Sequence, residues 1–124
     1  MDIIQELKTK VMAGAIIPKP NAKADFIVKG WGTRRGEEAL IYRIPNHKNA
    51  AKPHEKGINV SEWRKVYRHV SWGEDFDKDW FSRNLSSCAE DGDCNFTTIG
   101  GVFQMLGLVY YEHGVYKSRK NSFK

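Results

Sequence analysis

The chain is short of several things, and each shortage excludes a class of protein. Of its 124 residues two are cysteines, Cys88 and Cys94, too few for the disulfide framework of a small secreted domain. Reduced thiols and a cytoplasmic location are the expectation. The short spacing still leaves a small loop disulfide open, provided the two Cα atoms approach within about 7 Å. No apolar run approaches the ~20 residues that span a bilayer. The longest, Ile99 to Tyr111, is interrupted by Gly100, Gly101, Gln104 and Gly107, so no membrane partner is expected. The opening residues, Met1 to Lys8, are amphipathic and lack the basic head, apolar stretch and small-residue cleavage site of a secretory signal.

Chemical motifs are equally scarce. There is no phosphate-cradling Walker loop and no dinucleotide fingerprint. Glu90-Asp91-Gly92-Asp93 lies between the cysteines without the calcium-loop pattern, and a four-ligand zinc site finds no further partner nearer than His113. Neither a metal nor another cofactor is expected. His47, Lys48, His54 and Glu55 share one segment and imitate an acid–base group, but nothing in their spacing supplies the geometry catalysis requires.

What is present is core material and positive charge. Apolar residues make up 40% of the chain and aromatics 12%, enough to offset chain entropy in one domain of 1–124. Lys and Arg outnumber Asp and Glu by 20 to 15, and the excess is uneven. Residues 1–59 carry a net +5, residues 60–94 a net −3 and residues 95–124 a net +3. Both ends are therefore basic around an acidic middle, which bears on partners and says nothing about fold.

Hydrophobic spacing predicts a helix over 2–13, with Ile3, Ile4, Leu7 and Val11 on one stripe; Gly14 and Pro18-Lys19-Pro20 end it. Phe26-Ile27-Val28 and Glu38 to Ile44 read as strands, rich in β-branched and aromatic residues. The segment Lys29-Gly30-Trp31-Gly32-Thr33-Arg34-Arg35-Gly36 joins them as a basic hairpin tip. Residues 46–57 show no period and read as a polar loop. Asn59 and Glu62 form a capping-box pattern with Ile58 and Trp63 at the staple positions, opening a helix of about 60–70 that Gly73 stops. Asp77 caps a helix over 78–87, and Ser86 to Asp93 forms a polar connection. Asn95 caps a third helix to about Leu106. Leu108 to Glu112 and Val115 to Ser118 flank His113-Gly114 as a tight hairpin.

The expected architecture is α+β: an amino-terminal helix and basic hairpin with loop (1–57), then three short helices and a carboxy-terminal hairpin (58–118), then a basic tail (119–124). Three helices followed directly by a hairpin resemble the winged helix-turn-helix superfamily, with Asn95-Phe96-Thr97-Thr98-Ile99-Gly100-Gly101-Val102-Phe103-Gln104-Met105-Leu106-Gly107 standing where the recognition helix would be. The resemblance covers the carboxy-terminal half only and rests on element order. It implies base contacts from Thr97, Thr98 and Gln104, although that helix carries none of the cations a DNA-reading helix normally offers.

The function expected from these residues is non-catalytic binding of DNA or RNA. Phosphate contacts are assigned to Arg34, Arg35, Arg43, Lys48 and Lys52, and to Lys117, Arg119 and Lys120 near the tail, with Trp31 stacking on unpaired bases. The alternative is a protein-interaction or homodimerising module. Its contact would be the Gly100-Gly101 pair, whose cost in helix propensity implies a close neighbour, with Tyr110, Tyr111 and Tyr116. A more distant alternative is a small hydrolase or toxin acting through the His47–Glu55 loop.

Overall fold

Asn59 starts the helix that its neighbours promise. In the computed structural model, which describes residues 2–21 and 24–120, its side chain accepts from the Glu62 backbone N–H. The Glu62 carboxylate accepts in return from the Asn59 N–H. This reciprocal cap satisfies two orphan donors and opens α2 (Val60–Ser71). Trp63, Val66 and Val70 on its inner stripe are buried, and Gly73 stops it in the left-handed region with φ 91°. Asp77 likewise caps α3 (Lys78–Asn84) by accepting from the Trp80 N–H. The amino-terminal helix α1 (Ile3–Lys10) buries Ile3, Ile4 and Leu7 as its stripe predicts.

Two hairpins form as expected, each on a two-residue turn. The strands β5 (Val109–Glu112) and β6 (Val115–Ser118) are joined by His113 at φ 49° and Gly114 at φ 85°. Positive φ at both positions matches the right-handed twist of the strands. The first hairpin, β2 (Phe26–Arg34) with β3 (Glu37–Ile44), turns in the same way on Arg35 and Gly36. Its expected eight-residue tip is therefore corrected to two residues, because Lys29 to Arg34 continue as strand. Of the three glycines in that segment Gly36 makes the turn, while Gly30 and Gly32 lie within the sheet. Pairing slips between Val28 and Gly30, so Lys29 bulges out.

Three further expectations are corrected. Residues 54–59 are a strand, β4 (His54–Asn59), pairing antiparallel with β3; charge falls on both of its faces, Glu55 on one and Lys56 on that of Ile58, which hides the alternation that marks a strand. Ser86 to Asp91 form a short helix, α4, so four helices rather than three follow residue 59. Asn95 does not cap α5 (Cys94–Met105): it lies inside the helix and is completely buried. A two-residue strand β1 (Ile16–Ile17) completes an antiparallel sheet of order β1-β2-β3-β4. That sheet curls. A Cβ placed on Gly57 of β4 would lie 3.3 Å from the Arg34 Cβ of β2, across β3; Gly32, Ala39 and Gly57 are the small residues that allow it.

One core joins both halves of the chain. Val28, Leu40, Tyr42 and Ile58 from the sheet pack with Trp63, Val66, Phe76, Phe81, Phe103 and Tyr116. At its centre runs α5, buried along nearly its whole length. The glycine pair, expected near a flank of this helix, faces neighbours within the chain. A Cβ on Gly100 would come within 2.2 Å of the Tyr116 ring, and one on Gly101 within 2.2 Å of the Pro18 carbonyl oxygen. Close approach is thus the reason for both glycines, and the surfaces that approach belong to the same chain. Among the described residues no helix is long and apolar enough to cross a membrane.

Candidate nucleic-acid interface

The two arginines of the hairpin tip are the strongest test of a phosphate-binding reading, because a tip should hold its cations in solvent. Here the tip bends inward. Arg35 donates to both Glu62 carboxylate oxygens at 2.5 and 3.1 Å, to Asp91 Oδ2 at 2.6 Å and to the Gly57 carbonyl at 2.8 Å. Arg34 donates to the Glu55 carbonyl at 3.2 Å and to Asp91 at 3.4 Å. Lys56 joins the same knot through the Asp91 carbonyl. Burial works against the Arg35 charge, but the hydrogen bonds and charge of Glu62 more than offset it and hold the guanidinium pKa above its usual value. Cys88 lies beside this knot, and burial pushes its thiol up to about 12. The acidic middle of the sequence, through Glu62 and Asp91, is what neutralises this part of the basic amino-terminal half.

The threonines assigned to base readout are also occupied. Lys19 sends its ammonium between the sheet and the start of α5, donating to Thr98 Oγ1 at 2.7 Å, Thr97 Oγ1 at 2.9 Å and the Cys94 carbonyl at 2.9 Å. It stands 4.1 Å from the centre of the Phe26 ring and 5.6 Å from that of Tyr42. Burial lowers its pKa to about 8, opposed by the Cys94 thiol. Beside it the Tyr42 hydroxyl donates to Asn95 Oδ1 at 2.5 Å, and the Asn95 amide donates to the Cys88 carbonyl. Both cysteines are free thiols. Of the three polar residues assigned to α5, Gln104 alone is exposed. This polar cluster ties the Pro18-Lys19-Pro20 segment to the core helix, which residue type and spacing gave no means to foresee.

The β3–β4 loop keeps its charge outward. Lys48, Lys52, His47 and His54 are exposed, and among the described residues neither lysine makes an ion pair. Arg43 and Lys29 share one carboxylate, Glu55, at 3.5 and 3.0 Å. Glu55 is thereby committed to cations rather than to the loop histidines, with Lys29 holding its carboxyl below the usual range. Trp31 is half-buried against the core with Lys8 Nζ 5.0 Å from its ring centre, so it is not an open stacking platform. Among the described residues no group of three or more His, Cys, Asp or Glu is gathered as a metal-binding set.

A second basic region emerges only in three dimensions. Three concavities, of about 350, 290 and 270 Å³, all include Tyr67 in their walls. Ser71 is common to two of them, as are Leu108 and Ile3, so they meet as one groove between α1, α2 and the approach to β5. Tyr67, Ile3, Leu106 and Leu108 give it an apolar floor. Its walls carry Lys10, Arg64, Arg68, Arg119 and Lys120 against two carboxylates, Asp2 and Glu6. Those acids pair with Arg64 at 2.9 Å and Lys10 at 2.8 Å. Arg68 and Lys120 make no ion pair among the described residues, and Arg119 lies 5.5 Å from the Tyr110 ring centre.

Lys117 pairs with Asp75 at 3.5 Å, and residues 121–124 of the expected tail lie outside the described residues. Of the tyrosines assigned to an interface, Tyr116 is wholly buried and bears on Gly100, while Tyr110 and Tyr111 are half-buried. Sequence reasoning missed Lys10, Arg64 and Arg68, because they come from two helices far apart in the chain. Tyr67, on α2 between Arg64 and Arg68, is half-buried at the groove. No family model, no curated protein and no solved structure matches this chain.

Proposed function

We propose that this is a non-catalytic nucleic-acid-binding protein whose main phosphate contacts run along the Tyr67 groove. The observation that carries the reading is the groove's composition: five cations and two carboxylates around a tyrosine-bearing apolar floor. Cations neutralise phosphates and release condensed counterions, and a concave wall of one dominant sign focuses the field. The exposed Lys48 and Lys52 of the β3–β4 loop form a separate, lesser cationic site. The hairpin tip is removed from the phosphate contacts, since its arginines are already committed to Glu62 and Asp91.

Fluorescence anisotropy with labelled oligonucleotides over a salt series tests this. Binding should weaken steeply with salt. Arg68→Ala with Arg119→Ala and Lys120→Ala should reduce the log–log slope by about 0.7 to 0.9 for each phosphate left without its cation. No binding at ~50 mM salt, where the ionic contribution is large, overturns the reading.

A protein-interaction role has its own observation on the sheet. Ile16 and Ile27 are cross-strand partners and so share a face; they are 56% and 38% exposed, with Met12 nearby in the chain at 62%. If that patch joins two copies, Ile16→Lys with Ile27→Lys shifts sedimentation from dimer to monomer. A wild-type protein that sediments as a monomer at all concentrations removes the homodimer.

A further inference from the structure

Four tryptophans occur in the chain, and three are explained by packing. Trp63 is fully buried, while Trp31 and Trp80 are half-buried against the core. Trp72 is not explained: it is 79% exposed, the most exposed of the large apolar side chains among the described residues. An indole in water forfeits the burial that usually places this residue type. Among the described residues no aromatic ring or cation stacks on it, although His69 and Trp80, a short way off in sequence, stack on each other at 4.1 Å.

Its position gives it a context. Trp72 is the C-cap of α2 and donates its backbone N–H to the Arg68 carbonyl. Residues four apart on a helix share a face, so Trp72 follows Arg68 along the same side, one residue beyond Ser71. Arg68 and Ser71 both belong to the groove walls. Trp72 itself lines none of the three concavities; it follows directly on Ser71 and lies one helical turn beyond Arg68, both of which do. Arg119 and Lys120 stand with Ser71 around the largest of the three concavities. Glu74, two residues beyond Trp72 and exposed, is the nearest acid in sequence; Asp75, the next, is paired with Lys117.

Resting on the nucleic-acid reading above, we infer that the groove takes a single strand, with an unpaired base stacked on Trp72 and the adjoining phosphates on Arg68, Arg119 and Lys120. The chemistry separates this from duplex binding. A duplex offers phosphates but keeps its bases stacked on one another, so an exposed indole gains nothing from it without unstacking the helix. A single strand offers both, and stacking on aromatic faces tolerates any base. The half-buried Tyr67 lies further along the same groove as a second aromatic surface.

The test compares three probes by anisotropy at fixed salt: a strand of about 16 nucleotides, near the upper end of usual site sizes, its duplex, and the same strand made abasic. The intact strand should bind tightest, and Trp72→Ala should weaken it roughly 5- to 150-fold, the range for losing one stacked base. The salt slope should not change, because every phosphate keeps its cation. Trp72→Phe should retain most of the affinity while abolishing the tryptophan quenching that the intact strand produces. Equal binding of intact strand, abasic strand and duplex, or unaltered affinity in Trp72→Ala, overturns the stacked single strand and leaves phosphate binding standing. Absence of binding to all three probes overturns both.

Discussion

The hairpin tip and the Tyr67 groove are both basic, yet they use their charge in opposite ways. At the tip, Arg34, Arg35 and Lys56 are gathered on Asp91, with Glu62 and two carbonyls of β4 accepting further bonds from the arginines. Glu62 is only 7% exposed. In the groove the cations stand around an open floor, with two acids among five of them. Charge held in a half-buried, hydrogen-bonded network fixes which elements touch; on the groove wall Lys10 and Arg64 are paired with Glu6 and Asp2, while Arg68 and Lys120 make no ion pair among the described residues. The difference lies in the neighbours, since the guanidinium is the same group in both places.

The largest expected effect tests the tip. Glu62→Ala removes half of the capping box and leaves Arg35 short of its nearest carboxylate. It should cost about 3 kcal/mol or more in urea-midpoint measurements, as breaking buried pairs does. Arg68→Ala on the groove wall should stay within about 0.5 kcal/mol. Equal costs for the two would erase the contrast.

Next in size is the packing behind both regions. Gly101→Leu places a side chain against the Pro18 carbonyl, which as backbone cannot swing aside, and should lower stability by ~1–3 kcal/mol or more through overpacking. Thermal melts report this loss, and sedimentation should show no change of mass. A fully stable Gly101→Leu protein would mean that the Pro18 segment does not lie against α5.

A smaller effect separates the two regions by binding. Arg34→Ala with Arg35→Ala should leave the salt slope for a single strand unaltered, whereas Arg119→Ala with Lys120→Ala should reduce it by about 1.4 if each lysine or arginine meets one phosphate. If the tip mutant carries the change instead, the inward pairing gives way to phosphate in the complex.

The smallest is a dependence on pH. Lys19 titrates near 8 in the folded chain against an ordinary 10.5, so above 8 the unfolded state holds the extra proton and stability rises with pH. The Cys88 thiol, raised from 9.0 to about 12, acts with the opposite sign: it favours folding below 9 and loses that contribution as pH climbs toward 12. Burial raises Tyr42 and Tyr116 as well, adding to the alkaline loss above 10. Stability should therefore rise by about 1 kcal/mol or less between pH 8 and 9 and then decline. Lys19→Met should abolish the rise and keep the decline.

The readable parts of the fold are those written in local chemistry. Asn59 with Glu62, Asp77, Gly73 and the His113-Gly114 turn each act within a few residues, where cap and turn geometry is decided. The α+β class followed from them. Strand β4 and helix α4 escaped because neither shows an apolar period: β4 has Ile58 as its one large apolar residue, and α4 has one fully buried residue, Cys88. Asn95 looked like a cap by residue type, but the Tyr42 hydroxyl and the Cys88 carbonyl, 53 and 7 residues away in sequence, claim its amide.

By itself, then, the sequence determined where α2 and α3 start, that the His113-Gly114 turn needs left-handed residues, and that both ends of the chain carry excess positive charge. Tertiary structure alone decided where that charge is spent. Asp91 and Glu62 reach the tip arginines only because α2 and α4 pack beside the curled sheet. Lys10, Arg64, Arg68, Arg119 and Lys120 share a groove only because α1, α2 and the carboxy-terminal hairpin converge there. An ion pair acts over a few ångströms of space and is blind to separation along the chain, so composition could count the charges but not say which of them would meet.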